Sequence, residues 1–163
     1  MESKGIITML DTTAGYLTAA SRTLFGRAGI ATHLVPKKTI AASTTAFWIW
    51  FSGTLPTEIT VISASHFRSL AFGRRITAFN RATPPEDLRH IGSLTLTSPL
   101  RTACDVACLP RDEFDRTVGS LILFSFLQFY EIPLQECRAA ILKNPRRPGF
   151  ANGLCVLNEK GTL

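Results

Sequence analysis

The stretch HIGSLTLTSPLRTACDVA, residues 90–107, changes its hydrophobic period in the middle. Leu94 and Leu96 alternate with threonines, which is typical of a half-buried strand. From Pro99 onward the apolar residues recur every three or four positions, as they do on one face of a helix. Ser98 is suited to cap that helix, and Pro99 to occupy its first turn, where a missing N–H costs nothing. The stretch therefore predicts a strand that runs directly into a helix.

Arg101 and Asp105 lie four residues apart in the predicted helix, so their side chains project together. An arginine in a first turn opposes the helix dipole and needs a compensating partner, either Asp105 or a carbonyl at the end of the strand. We interpret Arg101 as half of an ion pair that holds this corner, and a ligand-binding role for Arg101 is the alternative. The apolar stripe beside the pair consists of Leu100, Ala103, Cys104, Ala107 and Cys108.

The order of helical and strand-like patterns on either side of this corner predicts an α+β fold. We expect an N-terminal aromatic helix that is capped by Ser43 and anchors the core, then a small, mostly antiparallel sheet of about three to five short strands, then a C-terminal run of three or four helices. The strands are expected at 57–63, 75–81, 88–91 and 94–97, and the last two should form a hairpin around the turn at Gly92. The helices are expected at 99–109, 111–127 and 133–143, with one weak helix after them.

The bulk composition favours a globular protein with a basic surface. The formal net charge is +6, which permits contact with nucleic acid or another acidic partner. The four cysteines show no zinc spacing, so we expect buried free thiols in a reducing compartment. The N-terminus lacks the apolar core of a signal peptide. The apolar stretch at 118–132 is too short to span a bilayer, so we expect it to form a buried helix. We therefore expect a cytoplasmic protein without a membrane segment.

The run LTLTSPLRTACDVACL resembles a signature of the AbiEi-like antitoxins of type IV toxin–antitoxin systems. The matching residues are Gly92, Leu94, Leu96, Thr97, Ser98, Pro99, Arg101, Thr102, Asp105 and Ala107. Upstream, ASTTAFWIWFSGTLP (42–56) is similar to a helix of that family, with Thr44 at a position where the family usually has histidine. The resemblance covers roughly residues 40–145, the central module of the family.

This resemblance implies a protein that represses its own operon and opposes a nucleotidyltransferase-like toxin, acting by binding and not as an enzyme. The alternative is a structural or protein-interaction module that does not bind nucleic acid. On this basis 41–145 is an AbiEi-like α+β domain and 146–163 is a tail or a short helix. Residues 1–40 are a poorly defined segment, open to interpretation as a degenerate remnant of a DNA-binding fold.

The candidate nucleic-acid contacts are arginines in and around one loop and one strand: Arg68, Arg74, Arg75 and Arg81. Arg74 and Arg75 could meet phosphates, with Phe67 and Phe72 stacking on bases. The alternative is a solvated loop whose phenylalanines are tucked into the core. Weak, salt-sensitive and sequence-independent DNA binding is the most that this set predicts.

The sequence holds no pattern that predicts catalysis, a cofactor or a metal. Phosphate-binding glycine motifs, zinc-protease motifs and nucleophile elbows are missing, and His33, His66 and His90 have no metal-ligand spacing. The acidic residues Asp112, Glu113 and Asp115 fall at a helix start, where the dipole favours them. The structural motif to locate is therefore Ser98, Pro99, Arg101, Thr102 and Asp105, with the oligomeric state left open.

Overall fold

The computed structural model describes residues 6–159, and the chain divides into two units between Thr97 and Ser98. The parts of the predicted segments 1–40 and 146–163 that fall at 1–5 and 160–163 lie outside the described residues. The boundary between the units falls inside the predicted 41–145 domain. Each unit contains its own helices, and the strands of the described residues all belong to the first.

The first unit contains seven strands and two α-helices among its described residues. Its strands are β1 Ile7–Met9, β2 Gly15–Leu17, β3 Ile40–Ala41, β4 Glu58–Ile62, β5 Arg75–Phe79, β6 Leu88–Ile91 and β7 Leu94–Thr97. Its helices are α1 Leu24–Leu34 and α2 Ser43–Phe51, with short 3₁₀ turns at Thr18–Arg22 and Pro85–Asp87. The predicted strands and the hairpin around Gly92 are confirmed, and the glycine takes a left-handed φ of 60° in that turn.

The main sheet has five strands in the order β5-β4-β3-β7-β6, and it is mixed. β3 and β4, like β6 and β7, are antiparallel, whereas β3 pairs with β7 and β4 with β5 in parallel. The expectation of a mostly antiparallel sheet is therefore wrong. For β4 and β5 the cause is the connection at 63–74. It returns the chain to the end of the sheet where β4 began, so β5 runs beside β4 in the same direction.

The aromatic helix α2 anchors the first unit, as predicted, but it is not the first helix. The hairpin β1–β2 and helix α1 precede it, and α1 continues without a break through Gly26 and Gly29. Trp48 and Trp50 are buried, and their indole N–H groups donate to Gly53 O at 3.2 Å and to Thr97 O at 2.8 Å. The expected cap at Ser43 is wrong by one residue, since the N-cap is Ala42 and makes no side-chain hydrogen bond.

The second unit is helical, and its described residues form more helices than predicted. They are α3 Pro99–Ala107, α4 Arg111–Thr117, α5 Gly119–Phe129, α6 Leu134–Leu142 and α7 Phe150–Asn158. The predicted helix at 111–127 is two helices, because Val118 leaves the helical region and Gly119 takes a φ of +72°. The apolar face of α3 contacts α5, α6 and α7, so α3 is the centre of this unit.

The apolar stretch at 118–132 is a half-buried helix and not the fully buried one that we expected. Leu123, Phe126 and Leu127 of α5 are buried, whereas Leu121 is 81% and Phe129 is 69% exposed. Among residues 6–159, no helix is long and apolar enough to cross a bilayer.

Candidate functional site

The structural motif of Ser98, Pro99, Arg101, Thr102 and Asp105 lies in α3 and at its N-cap, in the second unit. Ser98 Oγ accepts a hydrogen bond from the Arg101 N–H at 3.3 Å, and Pro99 stands in the first turn. Thr102 is fully buried. The cap that the sequence predicts is thus present, and it satisfies one of the N–H groups that a helix start leaves without a partner.

Asp105 is the charged centre of this motif, and two arginines share its carboxylate. Asp105 Oδ1 accepts from Arg101 Nε at 3.1 Å and from Arg147 Nη2 at 2.6 Å. The side chains are 2%, 13% and 9% exposed for Asp105, Arg101 and Arg147 respectively. The ion pair that the spacing predicts is present, and a second cation joins it. The carboxylate of Asp105 therefore lies between two guanidiniums and is almost entirely shielded from solvent.

Arg147 was missed by sequence reasoning, because it lies 42 residues from its partner. It sits in the connection between α6 and α7, where its backbone N–H donates to Asn144 O at 3.0 Å. Gly149 follows with a φ of +75°, and a Cβ there would lie 1.8 Å from Cys108 O. The connection therefore lies directly against the end of α3, and this close approach brings Arg147 to Asp105. The only signal in the sequence is the pair of arginines between two prolines.

Three buried thiols lie beside this ion pair, on α3 and α6. Cys104 Sγ is 3.4 Å from Cys137 Sγ and 3.6 Å from Cys137 O. A hydrogen bond from Cys137 lowers the pKa of Cys104, and the charge of Arg147 acts in the same direction against burial. That bond raises the pKa of Cys137, and burial raises the pKa of Cys108 to about 11. All four cysteines are free thiols, but the expectation of burial is wrong for Cys155, which is exposed.

The candidate nucleic-acid arginines belong to the first unit and do not form one cluster. Arg75 begins β5 and Arg81 follows its other end, so an extended chain separates them by roughly 15–20 Å. Arg68 and Arg75 are exposed. The Arg81 guanidinium lies 4.4 Å from the centre of the Phe79 ring, an arrangement typical of a cation–π contact.

Arg74 differs from the other three candidate arginines because its guanidinium donates hydrogen bonds to backbone carbonyls. Its Nε donates to Pro56 O at 3.2 Å, and its Nη1 donates to Leu10 O at 2.7 Å and to Phe72 O at 3.1 Å. These bonds tie the connection before β5 to the N-terminal hairpin. Phe67 and Phe72, which could either stack on bases or pack into the core, are both half-buried.

Arg27 is a second buried arginine that sequence reasoning missed. It is 5% exposed, and it donates to Ile49 O at 2.8 Å, Trp50 O at 3.2 Å and Ser21 O at 3.0 Å. Two of these carbonyls end α2, where a helix leaves its acceptors without partners and a cation is favourable. Arg27 therefore holds α1 to the end of the aromatic helix.

A cleft of about 470 Å³ lies in the first unit between the hairpin and α1. Its lining is mainly apolar and includes Leu10, Tyr16, Ile30, His33 and Phe72. Within the part of the chain that the structure describes, no group of three or more histidine, cysteine or acidic side chains could hold a metal ion. Compared with known proteins, the chain matches no family model, no curated protein and no solved structure.

Proposed function

We propose that this protein acts by binding, as an antitoxin or transcriptional regulator related to the AbiEi-like proteins. The observation that carries the proposal is the environment of Asp105. The motif's one carboxylate is buried and shared by Arg101 and Arg147, so its role in this proposal is to tie α3 to the connection between α6 and α7 and not to meet a substrate. A motif of this kind supports a scaffold, and the function of a scaffold lies on its surface.

The surface best suited to a protein partner is the exposed face of α5. Leu121, Ile122 and Phe129 are 81%, 46% and 69% exposed. Leu121 and Phe129 are eight residues apart with Ser125 midway, so they form an apolar row along the helix, and Ile122 lies beside this row. Large apolar side chains that share an exposed face are typical of protein-interaction sites. Under the family resemblance, the expected occupant is a nucleotidyltransferase-like toxin.

DNA binding, in this proposal, is weak and independent of sequence. Arg68, Arg75 and Arg81 supply the phosphate contacts, whereas Arg74 is committed to backbone carbonyls. Each phosphate that an arginine neutralises adds roughly 0.9 to the magnitude of the log–log salt slope. Titration against the upstream region of the gene and a scrambled duplex, at two salt concentrations, should give equal and salt-sensitive curves. A thousandfold preference for the native sequence would contradict this.

A protein-interaction module without nucleic-acid binding is the second candidate, and the apolar row of α5 favours it. The two candidates share the protein partner and differ in the titration, where this second one predicts no binding of either duplex. Both place the protein in the cytoplasm, since a reducing compartment suits its four free thiols.

The experiment that tests the main proposal is co-purification of the tagged chain from its native cell, followed by mass spectrometry. We expect a nucleotidyltransferase-like protein, encoded beside this gene, to be recovered. The variant Leu121→Glu/Phe129→Glu should lose it. Leu142→Glu, which charges an exposed leucine on α6, is the matched control and should keep it. The proposal would be contradicted if no such protein were recovered. It would also be contradicted if the unchanged chain, the Leu121→Glu/Phe129→Glu variant and the Leu142→Glu variant recovered it equally.

A further inference from the structure

The thiols of Cys104 and Cys137 are in contact, which no part of the proposed function requires. They lie on α3 and α6, and their Sγ atoms are 3.4 Å apart. The Cys104 thiol also lies 3.6 Å from Cys137 O. This places Cys104 to donate to the carbonyl while Cys137 donates to the Cys104 sulfur. The two sulfurs are thus already directed at each other before any bond joins them.

The surroundings of this pair distinguish it from ordinary buried cysteines. Asp105 is the next residue after Cys104, and its carboxylate is matched by the guanidiniums of Arg101 and Arg147. The hydrogen bond from Cys137 lowers the pKa of Cys104, and the charge of Arg147 acts in the same direction, whereas burial and the charge of Asp105 oppose the shift. A thiol with a lowered pKa that contacts a second thiol is suited to react first with an oxidant and then with its neighbour.

We propose that Cys104 and Cys137 are a redox modification site, a dithiol that a peroxide converts into an intramolecular disulfide between α3 and α6. This goes beyond the binding function and does not depend on it. The two residues are separated by 33 positions along the chain, so the bond would close a long loop of the second unit.

The reaction balances with one peroxide for each bond formed. The Cys104 thiolate attacks one peroxide oxygen, the O–O bond breaks, and water leaves after protonation, with Cys104 as a sulfenic acid. The Cys137 sulfur then attacks the Cys104 sulfur, and the hydroxyl of the sulfenic acid leaves as a second water. Two thiols and one hydrogen peroxide thus give one disulfide and two waters. A dithiol reductant reverses the change by thiol–disulfide exchange.

The burial of both sulfurs determines how the site responds. Cys104 is 1% and Cys137 is 0% exposed, so a peroxide reaches them only when the second unit opens locally. Oxidation should therefore be slower than that of the exposed Cys155, and a low concentration of denaturant should accelerate it. After it forms, the bond should raise the midpoint of thermal unfolding because it restricts the unfolded chain.

The test uses the full chain carrying Cys155→Ser, which removes the exposed thiol and prevents bridges between molecules. After treatment with hydrogen peroxide, we expect the three remaining thiols to fall to one, with Cys104 and Cys137 peptides linked and Cys108 free. Dithiothreitol should restore all three. Retention of three thiols, stable sulfinic acid without a bridge, or a bridge through Cys108 would overturn the proposal.

Two further variants provide matched controls in the same background. Cys108→Ser changes a buried thiol one turn from Cys104, and the bridge should still form. Cys137→Ser removes the resolving sulfur, so no bridge should form and Cys104 should accumulate as its sulfenic acid. If either variant fails to fold, the peptide map of the Cys155→Ser chain alone still shows whether Cys104 and Cys137 form the disulfide.

Discussion

The second unit contains the same ion-pair spacing twice, once buried and once exposed. Arg101 and Asp105 are 13% and 2% exposed, whereas Arg111 and Asp115, also four residues apart on a helix, are 46% and 50% exposed. The Nε–carboxylate distances are similar, at 3.1 Å and 2.8 Å. The sequence spacing and the contact are thus alike, and only the surroundings differ. We infer that burial, and not the presence of the pair, determines its contribution to stability.

The two pairs also differ in their third member. Arg147 joins the buried pair on the carboxylate of Asp105, whereas Glu159 joins the exposed pair on the guanidinium of Arg111. The hydrogen bond from Arg111 lowers the pKa of Glu159, and a second bond from Ser120 adds to this. In water such charges are screened and contribute little to stability. In the interior, removing one charge leaves its partners without compensation.

The largest effect is expected for Asp105→Ala. The change removes the buried carboxylate that two guanidiniums share, and it should lower the free energy of unfolding by about 3–5 kcal/mol. Chemical denaturation monitored by circular dichroism measures this. Asp115→Ala is the matched control, since it removes the same group at the same spacing from the surface. If the two losses were equal, burial would not be the deciding factor.

Gly149→Ala should have the next largest effect, because it disturbs the connection that brings Arg147 to Asp105. The new Cβ would lie 1.8 Å from Cys108 O, at a left-handed φ that alanine disfavours. We expect a loss of about 3 kcal/mol in the free energy of unfolding. Gly119→Ala has a similar φ of +72° but open space around its Cβ, so its loss should be clearly smaller. Equal losses would mean that the close approach does not matter.

Arg101→Ala should have a moderate effect, about 1–3 kcal/mol. The loss is smaller than that for Asp105→Ala because Arg147 continues to neutralise the carboxylate. The same denaturation experiment measures it, with Arg101→Lys as a conservative comparison that keeps the charge. A loss as large as that of Asp105→Ala would indicate that Arg147 alone does not compensate the charge of Asp105.

The smallest effect is expected for Arg111→Ala. Its loss of stability should not exceed the scatter between repeated unfolding curves, because water and salt screen the charges of an exposed pair. The pKa of Glu159 should nevertheless rise toward its ordinary value, which an NMR titration would detect. Because that pKa is lowered in the folded chain, the stability it contributes is present above the ordinary value of 4.5 and is lost as the pH falls through the folded-state pKa. An unchanged Glu159 titration would contradict the contact.

Local patterns predicted the elements well, and they failed where long-range packing decides. The cap at Ser98, the pair of Arg101 with Asp105 and the hairpin at Gly92 follow from spacings of a few residues, so the sequence reveals them. Arg147 depends on how α6 and α7 return to α3, which no local period encodes. The break at Gly119 was missed for a different reason, because the apolar period continues through it.

The sheet illustrates the same limit. Alternation of apolar residues located β4 and β5, but it carries no information on their relative direction. The candidate arginines were grouped because they are close in sequence, whereas Arg75 and Arg81 stand at opposite ends of β5 and Arg74 serves the backbone. Placement on the folded chain, and not residue type, separates a structural arginine from one that is able to meet a ligand.

The measurement that tests the central claim most directly is a pair of double-mutant cycles, one on Arg101 and Asp105 and one on Arg111 and Asp115. Each compares the free energy of unfolding of two single alanine variants with that of the double variant. At the buried pair we predict that the double variant loses clearly less than the sum of the single losses. At the exposed pair the single losses should simply add. Additive losses at Arg101 and Asp105 would contradict the claim that this motif works as a buried ion pair.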